Sequence, residues 1–417
     1  MARLIFSTVG SAGDVLPLIG PARALRDRGH EVRFGLSPDL FDAVRAHGFD
    51  TVTVGPALRL ADNPDMQKML TMRRGGYESA RHLVDDWLAP NLVRTYHDLR
   101  AACDHADALI ASTTQLAAGW VAHETGIPWI TTSVQPLAIP SAYITPPPAF
   151  ASRRLLTSPS LNRLRWRAAS IQLQRLDRAF TAAAHQLRMA PLSGVFTGGA
   201  LSPRLVVVLS SRHYSPRQPD WPEQVQVTGF TLWEDIESLP PEVTALLEAN
   251  NRLIVVTLGS AASLVADGFF LAAATAAVRA GHRCIAIVGH ERNLTDRFPE
   301  GTLAIVSAPL QTVLRRAAML IHHGGFGSTA AALSHGLPQL VVPHAFEQPF
   351  HGQRIQEMGC GRMLRRWNPA RLQHAIDEVL QDTTYASHAR QVATLIQGED
   401  GVAATADAIN SALAQTA

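Results

Sequence analysis

A short motif that occurs twice constrains the fold of this chain more than any other feature. Thr8–Ala12 (TVGSA) recurs as Thr257–Ala261 (TLGSA), and each copy follows an apolar run typical of a strand. A helical stretch follows each copy and ends in Gly-His, at Gly29–His30 and at Gly281–His282. Glycine at the end of a helix supplies the left-handed turn that leads into the next strand. The repeat therefore predicts two similar domains built from βα units.

Short β-branched runs alternate with longer helical patterns along both halves of the chain, as in parallel sheets covered by helices. We expect strands at Arg3–Thr8, Glu31–Leu36, Ala108–Ala111, Trp129–Thr132, Leu205–Leu209, Leu253–Thr257, Arg283–Val288, Thr302–Val306, Met319–Ile321 and Gln339–Val342. The predicted fold class is α/β, with two Rossmann-like, doubly wound domains that face each other across a cleft.

Proline density suggests where the two domains are joined. Five prolines fall within 214–242, which is unsuited to a helix or a central strand. We expect an N-terminal domain at 1–215, a linker at 216–241 and a C-terminal domain at 242–395. A final helix at 396–417 is expected to pack back on the N-terminal domain.

Composition excludes several classes of protein. The chain has 417 residues, of which 47% are hydrophobic and 17% charged, so it can bury large cores. The formal net charge is +2, too balanced for a nucleic-acid binder. Three widely spaced cysteines indicate neither disulfides nor a zinc site. The N-terminal residues lack the pattern of a signal peptide, and no apolar run reaches about 18 residues, so a cytoplasmic location is expected.

The first candidate site is the glycine-rich turn after the first strand, Gly10–Asp14. Parallel sheets bind ligands at the carboxyl ends of their strands. Gly10, Ser11 and Gly13 would let a substrate approach the backbone, before a helix that begins near Val15. Asp14 has two alternative roles: it caps that helix, or it places a carboxylate in the cleft.

The second candidate site follows the strand Met319–Ile321 and opens a helix. Helix N-termini attract phosphate through unpaired amides and the helix dipole. Gly324, Gly325 and Gly327 permit close approach, and His323, Ser328 and Thr329 can add hydrogen-bond donors. The adjacent His322 is expected to point away from the ligand.

Glu347 and Gln348 follow the next strand and can hydrogen-bond to sugar hydroxyls beside the phosphate. A competing interpretation treats Gly325–Ala330 as a GxGxxA dinucleotide motif with Glu347 as its ribose contact. The motif falls late in its domain, whereas a dinucleotide fingerprint opens the fold. Oxidoreduction is therefore disfavoured.

These residues resemble family 1 glycosyltransferases, which have the GT-B fold. His323–Ser328 resembles the His-x-Gly-x-x-Ser core of the nucleotide-sugar signature, and Glu347–Gln348 stands at its Asp-Gln position. Gly13–Pro17 resembles the N-terminal Gly-His-x-x-Pro segment, with Asp14 replacing the catalytic histidine. The chain is similar to the bacterial branch that contains rhamnolipid rhamnosyltransferases.

The resemblance implies an inverting, metal-independent transferase without a cofactor, using a UDP- or dTDP-linked hexose or deoxyhexose. It implies that Asp14 is the general base and that donor-binding residues lie along the C-terminal domain. Ser260 and the loop 322–329 would contact the diphosphate, Ser307 to Gln311 the base and ribose, and Glu347 with Gln348 the sugar. GT-A enzymes use a DxD metal motif, and the sequence contains none.

The expected acceptor is a small apolar molecule of lipid or hydroxyacyl type, with an aromatic or polyketide natural product as the alternative. Residues 151–190 contain eight arginines and one acidic residue, Asp177, a net charge of +7. This stretch could bind an amphiphile's carboxylate, contact a membrane surface peripherally, or form a solvated helical face. A nucleotide-sugar epimerase and a noncatalytic partner of another transferase remain alternative functions.

Overall fold

Two parallel β-sheets organise the chain in a computed structural model that describes residues 1–63, 67, 76–145, 158–232, 238–249 and 253–415. The described residues divide into two units: the first contains residues up to 232 together with 399–415, and the second contains 238–398. Each unit has its own sheet. Arg153 and Arg154 of the arginine-rich stretch and residues 233–237 of the expected linker lie outside the described residues.

The first sheet has the strand order β3-β2-β1-β4-β5-β6-β7, and the second has the order β10-β9-β8-β11-β12-β13, all neighbours being parallel. The strands are β1 Arg3–Ser7, β2 Glu31–Leu36, β3 Asp50–Thr53, β4 Ala108–Ser112, β5 Trp129–Ser133, β6 Val206–Val208, β7 Val225–Val227, β8 Leu253–Thr257, β9 Arg283–Ile287, β10 Thr302–Ile305, β11 Ala317–His322, β12 Gln339–Val341 and β13 Gly361–Met363. The predicted α/β class with two Rossmann-like domains is confirmed, and all ten expected strands are present.

Helices alternate with the strands in both units. The described α-helices are α1 Ala12–Asp27, α2 Phe41–Arg45, α3 Gly76–His82, α4 Ala89–Ala102, α5 Ala118–Thr125, α6 Pro159–Leu173, α7 Thr181–Leu187, α8 Pro241–Ala249, α9 Gly259–Ala262, α10 Phe269–Arg279, α11 Leu310–Leu314, α12 Phe326–Ser334, α13 Gln348–Glu357, α14 Pro369–Gln381, α15 Thr383–Gln397 and α16 Gly401–Ala414. Among the described residues, no single helix is long and apolar enough to span a membrane, although the bent pair Gly259–Val265 and Phe269–Arg279 passes that test together.

Successive side chains of each strand bury into opposite faces of the sheet. In β1, Leu4 and Phe6 join the cluster beneath α1, whereas Ile5 joins the cluster beneath α4. In β8, Val256 and Val255 divide in the same way between the two faces. Because both faces are covered, these strands consist of nearly continuous apolar residues, as is typical of parallel sheets.

The strand order reverses direction once in each sheet, and this sets where the sites lie. In the first sheet the reversal falls between β1 and β4, and in the second it falls between β8 and β11. Loops leave the carboxyl ends of the two strands in opposite directions at such a point, which opens a crevice for ligands. The repeated motif of the sequence occupies this position in both units, directly after β1 and β8.

Residues 216–232 of the segment 216–241, expected to be a linker, belong to the first unit, and residues 238–241 belong to the second. Val225–Val227 form β7, which pairs with β6 at the edge of the sheet. Trp221 is buried, and its indole N–H donates to the carbonyl of Ile139 at 3.1 Å. Prolines flank β7 without interrupting its three residues, so an edge strand survives in a proline-rich segment.

The C-terminal helix α16 packs against α1 within the first unit. Val402 lies directly against Gly20, where a Cβ would clash. Arg28 pairs with Asp407 at 2.7 Å on the surface. Because the chain returns to the first unit after residue 398, the first core is completed only by the last residues of the chain.

Candidate active site

Asp14 occupies the first turn of α1, at the carboxyl edge of the first sheet. The helix begins at Ala12 rather than near Val15, and Ser11 is its N-cap residue. The Asp14 carboxylate accepts hydrogen bonds from the Ser11 N–H at 2.8 Å and from the Ser11 hydroxyl at 3.2 Å. Asp14 is therefore the residue that reaches back to the N-cap, an arrangement that stabilises a helix start. Gly10 has a positive φ and leaves no room for a Cβ beside this carboxylate.

Asp14 also lines a small pocket of about 50 Å3, so its place in the helix start does not remove it from the wall of a cavity. The other lining residues come from α1, from the loop after β4 and from the end of β5: Leu18, Ser112, Thr113, Thr114, Thr132, Val134 and Gln135. The pocket thus lies at the switch point of the first sheet. Most of its wall carries hydroxyl or amide groups.

Burial governs the protonation of Asp14. Loss of solvation raises the pKa of this carboxyl above its ordinary value, and the two hydrogen bonds from Ser11 oppose that shift without cancelling it. A carboxylate with a raised pKa is a stronger base than one in water. The environment therefore suits Asp14 to accept a proton.

Three hydroxyls beside this pocket form a hydrogen-bonded chain with a fixed direction. Thr8 donates to Ser112 at 2.7 Å, and the Ser112 and Thr114 hydroxyls are also 2.7 Å apart. The Thr114 hydroxyl donates to the Val9 carbonyl at 2.5 Å. Because a hydroxyl has one proton, Ser112 must be the donor to Thr114. The chain ends on a backbone carbonyl and cannot carry a proton away from Asp14.

In the second unit, His323 lies at the switch point between β8 and β11. Its ring packs over two glycines: a Cβ on Gly259 would lie 2.8 Å from the ring, and one on Gly325 would also clash. Its Nδ1 is buried and has no hydrogen-bond partner among the described residues. Glycines from two different loops therefore hold the imidazole flat against the backbone.

His322 has a structural position inside the unit. The Gly324 N–H donates to its Nδ1 at 3.2 Å, so the proton lies on Nε2, 2.9 Å from the Gln339 side-chain oxygen. The side chain is fully buried. His322 thus fixes the start of the glycine loop, and it points away from the surface on which His323 lies.

Burial keeps these imidazoles neutral. Desolvation lowers the pKa of His322 to about 4 and that of His351 to about 3. It also lowers the pKa of His323 well below its usual range, and the neighbouring His322, His344 and His351 add to this effect. At neutral pH, His323 therefore acts as a hydrogen-bonding group without a charge.

The helix after this loop, α12, begins at Phe326 and has Gly325 as its N-cap residue. Its first amides, including those of Gly327 and Ser328, have no acceptor within the helix. The Thr329 hydroxyl donates to the Gly325 carbonyl at 2.9 Å. Thr329 was expected to add a donor for a ligand, but its hydroxyl proton is already used to close the first turn.

Gln348 departs from its expected role in a similar way. Its side-chain oxygen accepts the N–H groups of His344 at 2.8 Å and Ala345 at 2.9 Å, and so shapes the loop after β12. This loop turns at Phe346, which has a positive φ. Glu347, partly buried, is the N-cap residue of α13. Of the Gln348 amide, only the nitrogen is left for a ligand.

The remaining expected donor-site residues are spread along the same sheet edge. Ser260 is exposed directly after β8, and Ser307 is exposed after β10. Gln311 is buried in α11. Strands lie about 4.8 Å apart and β9 separates β10 from β8, so the strands that precede Ser307 and Ser260 are about 10 Å apart. These residues do not form one cluster; they form a row.

Sequence reasoning missed the hydroxyl-bearing wall around Asp14, notably Thr132, and the role of Gly259 beneath His323. The repeated motif signals Gly259, because it corresponds there to Gly10.

Within the described residues, no group of three or more His, Cys, Asp or Glu side chains is placed to hold a metal. Cys103, Cys284 and Cys360 are buried and not disulfide-bonded.

Comparisons with known proteins assign the chain to a class. Residues 4–143 match the glycosyltransferase family 28 N-terminal domain, and residues 272–401 match the erythromycin biosynthesis protein CIII-like C-terminal domain. The chain has the fold of GT-B glycosyltransferases and is similar in sequence to glycosyltransferases.

Its similarities extend over the full length. Glycosyltransferase GtfE of Amycolatopsis orientalis is 28% identical over 421 residues, which cover 99% of this chain and 98% of GtfE. The crystal structure of the kitacinnamycin glycosyltransferase has a TM-score of 0.73 at 20% identity and covers 99% of both chains. That of the glycosyltransferase VinC in complex with dTDP has a TM-score of 0.67 at 17% identity, covering 100% of both.

Proposed function

We propose that this protein transfers a hexose or deoxyhexose from a UDP- or dTDP-sugar to a hydroxyl of a small apolar acceptor, with inversion at the anomeric carbon. The proposal depends mainly on one observation, the order of candidate residues along the carboxyl edge of the second sheet. That order follows the strands β10, β8, β11 and β12, which are consecutive in the sheet apart from β9.

A nucleotide sugar is itself linear, with base and ribose at one end, the diphosphate in the middle and the sugar at the other. Ser307, which follows β10, would contact the base and ribose. Ser260 and His323, at the switch point, would serve the diphosphate, together with the amides that begin α12. Glu347 after β12 would serve the sugar. The dTDP in the VinC structure supports a nucleotide of this class.

The chemistry requires a base for the acceptor and stabilisation of the leaving group. The acceptor oxygen forms the new bond to the anomeric carbon while its proton passes to Asp14. The bond from the anomeric carbon to the diphosphate oxygen breaks, and the nucleoside diphosphate leaves with the electron pair. The neutral His323 and the α12 amides would donate hydrogen bonds to that developing charge. The sequence has no DxD motif, and the proposed mechanism uses no metal.

The leading acceptor class is a natural-product aglycone. The kitacinnamycin glycosyltransferase and the erythromycin-type domain match support it. A hydroxyacyl or other lipid-like acceptor is the second candidate, supported by the surface of α6. There Leu164 and Ile171 are 63% and 62% exposed, on the same helix as the exposed Arg163 and Arg167. This basic and apolar face could contact an amphiphile or an anionic membrane surface.

The proposal is tested first by binding and then by transfer. UDP and dTDP should each be compared with their glucose and rhamnose derivatives by thermal shift. Acceptor panels containing hydroxyacyl lipids, mono-glycosylated lipids and polyketide or aromatic aglycones should then be analysed by mass spectrometry for added sugar. Donor binding followed by an altered free sugar, without a glycosylated product, would favour an epimerase. Binding without any turnover would favour a noncatalytic partner.

A further inference from the structure

Thr132 is the last but one residue of β5, beside β4, and it lines the same pocket as Asp14. It is 1% exposed. Its hydroxyl is buried and has no hydrogen-bond partner among the described residues. A buried hydroxyl without a partner destabilises a fold, so such groups are rare and require a reason.

The surrounding hydroxyls do not share this condition. The hydroxyls of Thr8, Ser112 and Thr114 all donate hydrogen bonds, and this series of bonds ends on the Val9 carbonyl. Thr131, the preceding residue, points to the other side of the sheet and accepts from the Trp129 indole N–H at 3.0 Å and the Ser202 N–H at 2.8 Å. Thr132 is therefore the hydroxyl of this pocket that is both buried and without a hydrogen-bond partner among the described residues.

We propose that Thr132 is an acceptor-binding residue that donates its hydrogen bond to the attacking oxygen and thereby selects hydroxyl over amine nucleophiles. This inference rests on the proposed function, in which Asp14 removes the proton of that oxygen. The pocket of about 50 Å3 admits little more than the nucleophilic group and the carbon that bears it. In this proposal, Thr132 and Asp14 both form hydrogen bonds with the attacking oxygen of the acceptor.

The valences of a hydroxyl fit this arrangement. Its proton points to Asp14, one lone pair accepts from Thr132, and the second lone pair attacks the anomeric carbon. The proton ends on Asp14 and the displaced electron pair leaves with the nucleoside diphosphate, so the step is balanced. A neutral amine has a single lone pair. If that lone pair accepts from Thr132 it cannot attack, so Thr132 disfavours nitrogen acceptors.

The test uses Thr132→Val, which keeps the shape and removes the hydroxyl, and Thr132→Ser, which restores it. Thr131→Val is the matched control, since that residue is equally buried but its hydroxyl oxygen accepts two hydrogen bonds within the protein. Thr132→Val should keep or raise the Tm and leave dTDP binding unchanged, because no protein hydrogen bond is lost. Thr131→Val should lower the Tm.

Kinetics should use paired probes that differ only in the nucleophile. We suggest 4-methylumbelliferone with 7-amino-4-methylcoumarin, and 3-hydroxydecanoate with 3-aminodecanoate, each with dTDP-rhamnose and UDP-glucose. Thr132→Val should reduce kcat/KM for the hydroxyl probe by about 2- to 12-fold, the factor for one neutral hydrogen bond. The preference for hydroxyl over amine should shrink, and Thr132→Ser should recover both. Unchanged kcat/KM and preference in Thr132→Val would overturn the inference.

A crystal structure supplies a test that needs no acceptor turnover. In the wild-type protein, an ordered oxygen of water or acceptor should lie within hydrogen-bonding distance of both the Thr132 hydroxyl and the Asp14 carboxylate. Its absence, or a protein partner for Thr132, would contradict the inference. Failure of the proposed function is separate: it would appear as the absence of any glycosylated product from the wild-type protein. Wild-type turnover in Asp14→Asn would instead remove Asp14 as the base and leave sugar transfer in place.

Discussion

The two switch points carry the same motif and place the same glycine beneath a functional side chain. In the first unit Gly10 makes room for Asp14, which comes from the same loop four residues later. In the second unit the corresponding Gly259 makes room for His323, which comes from the loop after the neighbouring strand. The repeated glycine thus marks a position where a side chain must approach the backbone closely, and the identity of that side chain is decided elsewhere.

Burial acts on these two side chains in opposite directions. It raises the pKa of Asp14 and so strengthens it as a base, whereas it lowers the pKa of His323 and keeps that ring neutral. The length of the following helix also differs, from Ala12–Asp27 in the first unit to Gly259–Ala262 in the second. One architectural position thus holds a buried carboxyl in one unit and a neutral imidazole in the other, and the proposed function assigns them proton transfer and anion recognition.

The largest effect should come from Asp14→Asn, with turnover reduced at least about 10²-fold, because the amide cannot take the proton. Nucleotide-sugar binding and folding should persist, since the asparagine side-chain oxygen can still accept hydrogen bonds from Ser11. In the wild type, kcat/KM should rise with pH through a pKa above the ordinary 3.8 of an aspartate, and Asp14→Asn should lack this limb. Turnover close to that of the wild type would reduce Asp14 to its role in the helix start.

The next largest effect should come from His323→Ala. It should weaken UDP or dTDP binding by about 1 to 3 kcal/mol, the range for a hydrogen bond to a charged partner. Isothermal titration would measure this change. Since the ring is already neutral, wild-type affinity should not follow a His323 titration between pH 6 and 8. Equal affinity in wild type and variant would remove His323 from the donor site.

His322→Ala is the matched contrast and should lower stability instead. Folding lowers the pKa of His322 from 6.5 to about 4, so the unfolded chain binds the proton more readily. The contribution of neutral His322 to stability is complete above pH 6.5 and is lost as pH falls toward 4. Thermal unfolding at several pH values should therefore show a weaker loss of Tm below pH 6.5 in His322→Ala than in the wild type.

The sequence was sufficient to predict the strands with long apolar runs, and it missed three of the four strands at the sheet edges. The missed strands are β3, β7 and β13, which are short and stand at or next to the ends of their sheets. Asp50–Thr53 is polar, and Gly361–Met363 opens with glycine. Such short segments become strands only because they pair with a neighbouring strand, and that pairing depends on the tertiary fold.

For the site, residue type and position after a strand were enough to locate Asp14 and His323 on their loops. The hydrogen-bond partners were not predictable in the same way. Gln348 uses its oxygen to shape its own loop, and Thr329 uses its hydroxyl to close a helical turn. Local sequence does not distinguish a donor that faces a ligand from one already used by the backbone, and for the same reason it did not indicate Thr132.

Gly259→Ala tests the equivalence of the two glycines and should weaken nucleotide binding by about tenfold, which corresponds to about 1.4 kcal/mol. The added Cβ would displace the His323 ring. Gly281→Ala is the control, because Gly281 also has a positive φ but has open space around its Cβ position. Both variants share the backbone strain, so only the loss of affinity beyond that of Gly281→Ala, measured by titration with dTDP, reports on His323.

The smallest effect should come from Glu347→Gln, which keeps the size of the side chain and removes its charge. Glu347 is proposed to accept hydrogen bonds from sugar hydroxyls, so the variant should lose about three- to tenfold in affinity for a nucleotide sugar, within the range for a charge-assisted hydrogen bond, and nearly nothing for the bare nucleotide. Gln348→Ala provides the contrast. It removes the acceptor for the N–H groups of His344 and Ala345 and should disturb the whole loop after β12. Titrations with UDP, dTDP and their glucose and rhamnose derivatives would separate the two outcomes. If Glu347→Gln weakens bare nucleotide and nucleotide sugar equally, Glu347 acts on the loop in the same way as Gln348, and the sugar end of the donor must be recognised by other residues.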